Sequence, residues 1–355
     1  MVPDPNDAAH QFVAPGPNDI RGPCPGLNAA ANRNFLAHDG ITTFNELVDA
    51  QQNLYTVGYD LATLLALLGL TLTDGDVATE KLSIGCDATT RTSVISTLTG
   101  QEPGLDGHNK FEADTSLARS DFFLGHGDNF SFNGTLFKAM TDTTGGPYNR
   151  DGLAKYRYER YKQSLQDNPN CYFGPLSLLL FGASSFLYEL MPSGTNGYAP
   201  DEATISSFFG AKKQADGSYK FNNIEKIPDN WNNRAKPCTN EDVTAEILVQ
   251  YLEYPVLFGG AAGNEGFDLI NSGSIQNGTL IAAPNSSAAS CLLYQLATQS
   301  VPSYLNGVIS PALAALDFVS SKLGPTLKNL GCPQPLTKWL FFQGSSGRSL
   351  ASNRD

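Results

Sequence analysis

Pro23-Cys24-Pro25-Gly26-Leu27-Asn28 is the stretch that most constrains the fold of this chain. Proline suits the first position of a helix, where no N–H is needed, so Pro25 predicts a helix start with Cys24 as its N-cap. Apolar residues then recur at helical spacing until Gly40, which is typical of the residue that ends a helix.

A cysteine at a helix N-cap is suited to become a stable thiolate. The free N–H groups and the positive end of the helix dipole are expected to lower its pKa and to favour ligation of a soft metal or haem iron. The sequence therefore predicts Cys24 as an axial ligand, with half of a disulfide as the alternative. If Cys24 is a ligand, five of the six cysteines remain, so at least one of them has no partner within the chain.

Composition and charge narrow the class of protein. The chain has 355 residues, 41% of them hydrophobic, which indicates an ordered globular protein. Its formal charge of −12 argues against a nucleic acid or an anionic membrane as partner. The longest apolar run, 61–72, is too short to span a bilayer and predicts a buried helix instead. The oligomeric state stays open.

Several features predict secretion. The chain shows no signal peptide, and Met1 before a Pro/Asp/Asn-rich arm looks like a mature start with an added methionine. Six cysteines are compatible with an oxidising compartment. Glycosylation sequons begin at Asn129, Asn133, Asn277 and Asn285.

The pattern predicts an all-α protein: one helical domain, residues 1–355, with a core at about 15–335, because strand-like alternation is scarce and no linker appears. Helices are expected over 45–70 (two segments broken near Gly58), 241–253 and 301–323. Loops rich in Gly, Asn and Ser are expected over 192–240 and 259–290.

Two further helices carry stronger signals. Asp151 caps a segment that ends at Asn168-Pro169. Its apolar face is expected to contain Ala154, Tyr158, Tyr161 and Leu165, with basic residues on the other face. The segment 176–191 is apolar almost all round, which predicts a fully buried helix.

A second cluster of functional residues follows His108. Glu112, Asp114 and Ser116 alternate with the backbone carbonyl of Ala113, an all-oxygen set that suits Mg²⁺ (or Ca²⁺). An acidic loop that merely caps a helix has much the same pattern, and this alternative stays open.

Taken together, the two clusters resemble the fungal haem-thiolate peroxidases, the family of chloroperoxidase and the unspecific peroxygenases, and look closest to the long peroxygenases. Three stretches carry the resemblance: PCPGLNAAANRNFLAHDG from Pro23, KLSIG from Lys81, and HNKFEADTSLARSDFFLGHGDNFSFNGTLF from His108. The family has Gly or His where this chain has Ala113, and a carbonyl ligand survives that change.

The resemblance implies the helical chloroperoxidase-like fold, with haem b buried between helices. Cys24 would be the thiolate ligand of the iron. A Mg²⁺ that touches a haem propionate would be bound by Glu112, Asp114, Ser116 and the carbonyl of Ala113. Cys291 and Cys332 would form the family's C-terminal disulfide. Phe111 and Phe186 would lie over the distal haem face, with ordinary core positions as their alternative.

The distal helix departs from the family pattern. The family places a catalytic glutamate over the iron, and the long enzymes add an arginine two turns earlier. The alignment puts Leu176 at the arginine position and Ala183 at the glutamate position. Glu189 is the nearest carboxylate, about 9 Å further along a helix. Either the register differs by a turn or two, or the distal acid–base is absent.

The predicted function is a secreted haem-thiolate peroxygenase or peroxidase that uses hydrogen peroxide on apolar organic substrates, with Glu189 or an unrecognised residue as its acid–base. One alternative is a divergent relative specialised to one secondary-metabolite step. Others are a haem- or ligand-binding protein with little turnover and a disulfide-stapled protein without haem.

Overall fold

Helices dominate this chain in a computed structural model. The structure describes residues 1–73, 75–108, 111–173, 177–194 and 199–257, together with 259–260, 275–276, 279–280 and 321–322. The helices within these residues are α1 (Pro25–Ala31), α2 (Phe44–Tyr55), α3 (Tyr59–Leu72), α4 (Thr89–Thr92), α5 (Ser96–Thr99), α6 (Gly134–Thr144), α7 (Arg150–Asp167), α8 (Leu178–Glu189), α9 (Glu202–Phe208) and α10 (Asn240–Glu253). The all-α prediction is confirmed.

The strands in the described part of the chain are short and pair only in twos. They are β1 (Ile41–Thr43), β2 (Lys81–Ser83), β3 (Tyr172–Phe173), β4 (Ala211–Lys213), β5 (Tyr219–Phe221), β6 (Gly259–Gly260), β7 (Ile275–Gln276) and β8 (Thr279–Leu280). The antiparallel pairs are β1–β2, β3–β6, β4–β5 and β7–β8. The helices α2 and α3, α6 and α7, and α8 and α10 pack against each other as pairs.

Helix α1 starts where the sequence predicted and ends earlier. Pro25 is its first residue and Cys24 its N-cap. It stops at Ala31, because Asn34 adopts a left-handed conformation (φ 55°) and the chain turns. Gly40 serves a different purpose: with φ +80°, its missing Cβ makes room for the carbonyl of Ile20, which a Cβ would approach to 2.3 Å.

The break between α2 and α3 is confirmed. Thr56 ends α2 in a left-handed conformation (φ 54°), and Gly58 is the N-cap of α3. The N–H of Gly58 donates to the carbonyl of Cys238 at 2.7 Å, so a distant segment lies directly against this turn. No described helix is long and apolar enough to cross a membrane.

Helix α7 buries a different face from the predicted one. Its N-cap is Asn149 rather than Asp151, and Asn168 follows its last residue as expected. Its buried residues include Arg157 and Arg160, whereas Tyr158 and Tyr161 are only partly buried. The prediction that the basic residues lie on the outer face holds for Lys155 and Lys162 and was wrong for Arg157 and Arg160, because these two donate to buried backbone carbonyls.

Helix α8 and the segment after it also differ from prediction. Side chains at 182–190 are not buried all round, since Ala183 is exposed and Phe186 is partly buried. The predicted loop 192–240 contains α9 and the β4–β5 hairpin. These elements contribute Phe208, Phe209 and Tyr219 to the core. Their apolar residues are too few per element to show a clear period.

Some predictions lie outside the described residues. They are the helix over 301–323 (apart from 321–322), the Cys291–Cys332 disulfide, most of the 259–290 loop, and Leu176. No two of the four described cysteines, Cys24, Cys86, Cys171 and Cys238, form a disulfide with each other.

Candidate functional site

Cys24 lies at the N-terminus of α1 with its thiol partly buried. Its backbone is extended (φ −89°, ψ 105°), and its carbonyl accepts the first intrahelical bond, from the Asn28 N–H at 3.0 Å. The N–H groups of Gly26 and Leu27 are close enough to the thiol to lower its pKa, although the side chain makes no capping hydrogen bond. The local sequence therefore builds the predicted arrangement of a sulfur atom facing free helix N–H groups.

The predicted lowering of the Cys24 pKa is not found. Burial raises the pKa of this thiol above its ordinary value, and the N–H groups of Leu27 and Gly26 offset that effect only in part. Burial removes solvent from the charged form, and this cost is larger than what a two-turn helix returns. The prediction from sequence included the effect of the helix dipole on the Cys24 pKa but not the effect of burial.

The turn before Cys24 is held by close backbone contacts. A Cβ on Gly22 would approach the carbonyl of Ile84 to 2.0 Å, and one on Gly85 would approach the carbonyl of Arg21 to 2.5 Å. The KLSIG stretch therefore positions the Cys24 turn through its last two residues. The carbonyl of Pro23 accepts a hydrogen bond from Arg119 Nε at 3.1 Å, which ties the turn to the loop that follows Ser116.

Glu112 is buried, and one of its oxygens has no hydrogen-bond partner among the residues that the structure describes. The residue is 5% exposed, and Oε1 makes no hydrogen bond. Burial raises the pKa of Glu112 to about 8, although a hydrogen bond from the Ser116 side chain and the charge of Arg119 act in the other direction. A buried carboxylate oxygen without a donor is costly, so this atom indicates a place for a cation.

Asp114 lies in a different group of side chains. Its carboxylate accepts hydrogen bonds from the N–H groups of Phe122 (3.2 Å) and Tyr172 (3.3 Å). Ligand atoms of Asp114, Asp121 and Cys171 lie within 4.8 Å of one another, and Glu112 is not a member of that group. Of the three predicted ligand side chains, the structure thus brings together Glu112 and Ser116.

Helix α7 holds this loop from behind. Arg157 donates to the carbonyl of Thr115 at 2.6 Å, and Arg160 donates to the carbonyl of Ser116 at 2.9 Å. Burial and the nearby charge of Arg160 lower the pKa of Arg157 to about 10. Two buried guanidinium groups therefore fix the backbone at Thr115 and Ser116, in the loop that contains Glu112.

Ala183 and Phe186 lie on the less buried side of α8. Gly182 is buried, and a Cβ there would lie 3.5 Å from Ile247 of α10. The Ser184 hydroxyl donates to Gln250 Oε1 at 2.6 Å, also on α10. Ala183, between them in sequence, is exposed. The residue predicted at the glutamate position thus borders open space. Phe111, predicted to lie over the haem, is 38% exposed.

Glu189 forms an ion pair with Arg234. The guanidinium of Arg234 binds the Glu189 carboxylate and also donates to the Glu189 backbone carbonyl at 3.2 Å. The two side chains are 23% and 20% exposed, so the pair borders solvent at the C-terminal end of α8. The sequence showed Glu189 but not Arg234, which comes from a segment predicted to be loop.

The two sequons within the described residues have different environments. Asn129 is 1% exposed, so a glycan cannot reach its amide in the folded protein. The amide oxygen of Asn133 caps α6 by accepting from the Thr135 and Leu136 N–H groups. Asn277 and Asn285 lie outside the described residues.

Sequence reasoning missed the buried charges that support the site: Arg119, Arg157, Arg160 and Glu225. Arg119 stands three residues after Ser116, and its spacing from the predicted ligands was the one available signal. The others come from elements whose charges looked like those of a solvated surface.

Comparison with known proteins identifies the family of this chain. The family model described as "Peroxidase, family 2" matches residues 10–236, which include Cys24, the Glu112 loop and α8. An aromatic peroxidase of Fusarium equiseti is 28% identical over 345 residues, covering 91% of this chain and 78% of that protein. An aromatic peroxygenase of Coprinellus radians is 34% identical over 228 residues, covering 61% of this chain and 84% of that protein.

An aromatic peroxygenase of Cyclocybe aegerita is 29% identical over 303 residues, covering 82% of this chain and 71% of that protein. The family match spans more than half of the chain, and it contains the helix start at Pro25 and the loop of Glu112. The chain therefore belongs to peroxidase family 2, the fungal haem-thiolate peroxidases that its sequence resembles, and it is an oxidoreductase that uses a peroxide.

Proposed function

We propose that the chain is a secreted haem-thiolate peroxygenase or peroxidase that uses hydrogen peroxide to oxygenate or oxidise apolar organic molecules. The observation that supports this most is the position of Cys24 as the N-cap of α1, where the N–H groups of Gly26 and Leu27 favour the charged form of its thiol. The raised pKa of the thiol does not oppose this role, because a thiol that coordinates a metal is deprotonated outright.

Features of the described residues fit haem b and a cation. Cys24 is a partly buried residue, and the exposed Ala183 leaves a small apolar side chain on the open side of α8. The buried Oε1 of Glu112 has no donor in the described part of the chain. When bound, a thiolate-ligated haem supplies the iron that binds peroxide and favours O–O cleavage.

For Mg²⁺ (or Ca²⁺) we propose Glu112, the Ala113 carbonyl and Ser116 as ligands. Asp114 was also predicted as a ligand. Its hydrogen bonds to the Phe122 and Tyr172 N–H groups support a role in shaping the loop instead.

Proton transfer requires an acid–base near the peroxide, and we propose Glu189. Its carboxylate would take a proton from hydrogen peroxide and return it to the leaving oxygen. The Arg234 guanidinium binds that carboxylate and also donates to the backbone carbonyl of Glu189. Phe186 lies three residues earlier on α8, so the two side chains are neighbours on the helix surface.

An apolar substrate is supported by the side chains around this region. Ala183 is exposed and Phe186 is partly buried, so a small and an aromatic side chain lie on the more open side of α8, and Phe111 is an exposed aromatic side chain elsewhere in the described residues. A divergent relative without general activity, or a binding protein with little turnover, is not favoured, because the relatives are named as peroxidases and peroxygenases. Secretion rests on the sequence features alone.

The test is the absorption spectrum of the purified protein after reduction with dithionite and addition of carbon monoxide. The wild-type protein is expected to show the strongly red-shifted Soret band of a thiolate-ligated haem. Cys24→Ser should lose this band, and Cys86→Ser, which removes an exposed free thiol, should keep it. A histidine-type band in the wild-type protein, or no haem band at all, would contradict the proposal.

A further inference from the structure

A buried carboxylate, Glu225, joins two segments that flank Cys24 in space. Glu225 is 5% exposed and lies 197 residues after Asn28 in the sequence. Its Oε2 accepts from Asn28 Nδ2 at 2.7 Å, and its Oε1 lies 3.4 Å from Arg119 Nη2. Both oxygens are therefore used, and each points at a residue that itself binds the Cys24 turn.

Asn28 carries the first of these connections. Its side chain accepts from the Gly22 N–H at 3.0 Å and donates to the Gly22 carbonyl at 2.8 Å, closing a ring across the turn that contains Cys24. The same amide nitrogen donates to Glu225. Glu225 and Gly22 thus fix the orientation of the Asn28 amide together, and Glu225 thereby supports the path of the chain from Gly22 to α1.

Arg119 carries the second connection. It is 3% exposed and donates through Nε to the carbonyl of Pro23, the residue directly before Cys24. A buried guanidinium requires an opposite charge, and Glu225 supplies it. Because Arg119 follows Glu112 by seven residues, its hydrogen bond to Pro23 connects the predicted cation loop with the turn of Cys24, and the ion pair with Glu225 holds Arg119 in place.

We propose that Glu225 is a positioning residue for the thiolate: through Asn28 and Arg119 it fixes the turn from Gly22 to Cys24 and so maintains the sulfur in the geometry that binds iron. The catalytic part of this inference rests on the proposed function, because it requires that Cys24 is the iron ligand. The hydrogen bonds that carry it do not depend on a bound haem.

The test variant is Glu225→Gln, which keeps the size of the side chain but replaces one acceptor oxygen by a donor. That donor would face Asn28 Nδ2 or the Arg119 guanidinium, so one connection must break. The matched control is Glu246→Gln, which changes another buried glutamate that is paired with an arginine, Arg150, on helices away from the Cys24 turn.

The first measurement is backbone hydrogen exchange, followed by mass spectrometry, of peptides that cover 20–32. In Glu225→Gln these amides should exchange about tenfold faster than in the wild type, the factor expected for one charge-assisted hydrogen bond. Glu246→Gln should leave them unchanged. Equal exchange in Glu225→Gln and the wild type would overturn the proposal, whether or not the protein binds haem.

The second measurement is the stability of the red-shifted carbon monoxide band over time. Glu225→Gln should lose the band about tenfold faster than the wild type, and Glu225→Asp should recover part of the difference because it restores the charge. Equal rates of loss in all three proteins would show that Glu225 does not maintain the position of the Cys24 sulfur. A wild-type protein without the band would contradict the proposed function. The hydrogen-exchange result would still show whether Glu225 holds the turn of Cys24 in place.

Discussion

Arg160 and Asp121 form an ion pair that is almost completely shielded from solvent: Arg160 Nη2 lies 2.8 Å from Asp121 Oδ1, and the two side chains are 2% and 0% exposed. Asp121 also accepts from the Thr115 N–H at 3.1 Å and from Asn168 Nδ2 at 3.1 Å. This carboxylate therefore binds α7, the end of α7 and the loop of Glu112 to one another.

Asp121→Asn should strongly destabilise the protein. It leaves the buried Arg160 without its opposite charge, which costs about 3–5 kcal/mol. The measurement is the free energy of unfolding from urea titrations. Asp142→Asn is the control, because Asp142 pairs with Lys138 on the surface and its loss should change stability by no more than about 0.5 kcal/mol. Similar effects of the two substitutions would contradict the importance of the buried pair.

Magnesium should stabilise the wild-type protein, since a ligand bound only by the folded state adds about 2.7 kcal/mol at a hundred times its Kd. Glu112→Gln should abolish this response, because it removes a charged ligand. The measurement is the Tm as MgCl₂ is added after treatment with a chelator.

Asp114→Asn tests whether Asp114 is a ligand of the cation or only shapes the loop. If Asp114 only shapes the loop, this variant should start from a lower Tm and still respond to MgCl₂. A response lost equally in Glu112→Gln and Asp114→Asn would place Asp114 among the ligands, as the sequence predicted. CaCl₂ in place of MgCl₂ tests which of the two ions the loop prefers.

Glu189→Gln should reduce peroxide-dependent turnover about 10²–10⁴-fold, the usual contribution of a positioned acid–base. The carbon monoxide spectrum should stay unchanged, because Glu189 is not proposed to bind the iron. The surface variant Glu159→Gln serves as a control and should keep full turnover. Unchanged turnover in Glu189→Gln would remove this residue from the mechanism.

Asp106 gives a pH-dependent contribution to stability. Burial and the neighbouring charge of Asp128 raise the pKa of Asp106 from 3.8 to about 7. Between these values the folded state binds more protons than the unfolded state. The contribution of Asp106 is therefore fully present below pH 3.8 and is lost as the pH rises through about 7.

Asp106→Asn removes this titration. The difference in unfolding free energy between the variant and the wild type should shift in favour of the variant as the pH rises from about 4 to about 7. Urea titrations across that range measure it, with Asp49→Asn on the surface of α2 as the control. A difference that stays constant with pH would show that Asp106 titrates normally.

The predicted elements that proved correct depend on neighbours within a turn or two. Pro25 starts α1 and Cys24 caps it, and the chain breaks between α2 and α3 at Gly58. The early end of α1 at Ala31 was missed, since a left-handed Asn34 is a weaker signal in sequence than Gly40. Helix α9 was missed because seven residues are too few to show periodicity.

The sequence by itself determined the family, the position of Cys24 and the carboxylate of Glu112, since these depend on residue types at short spacing. Only the tertiary structure decided that Arg160 faces inward, that Asp114 turns to Asp121, and that Glu225 supports the Cys24 turn. A buried charge is stable only beside its partner, and these partners come from segments far apart in the chain. The local periodicity of the sequence therefore cannot predict these pairs.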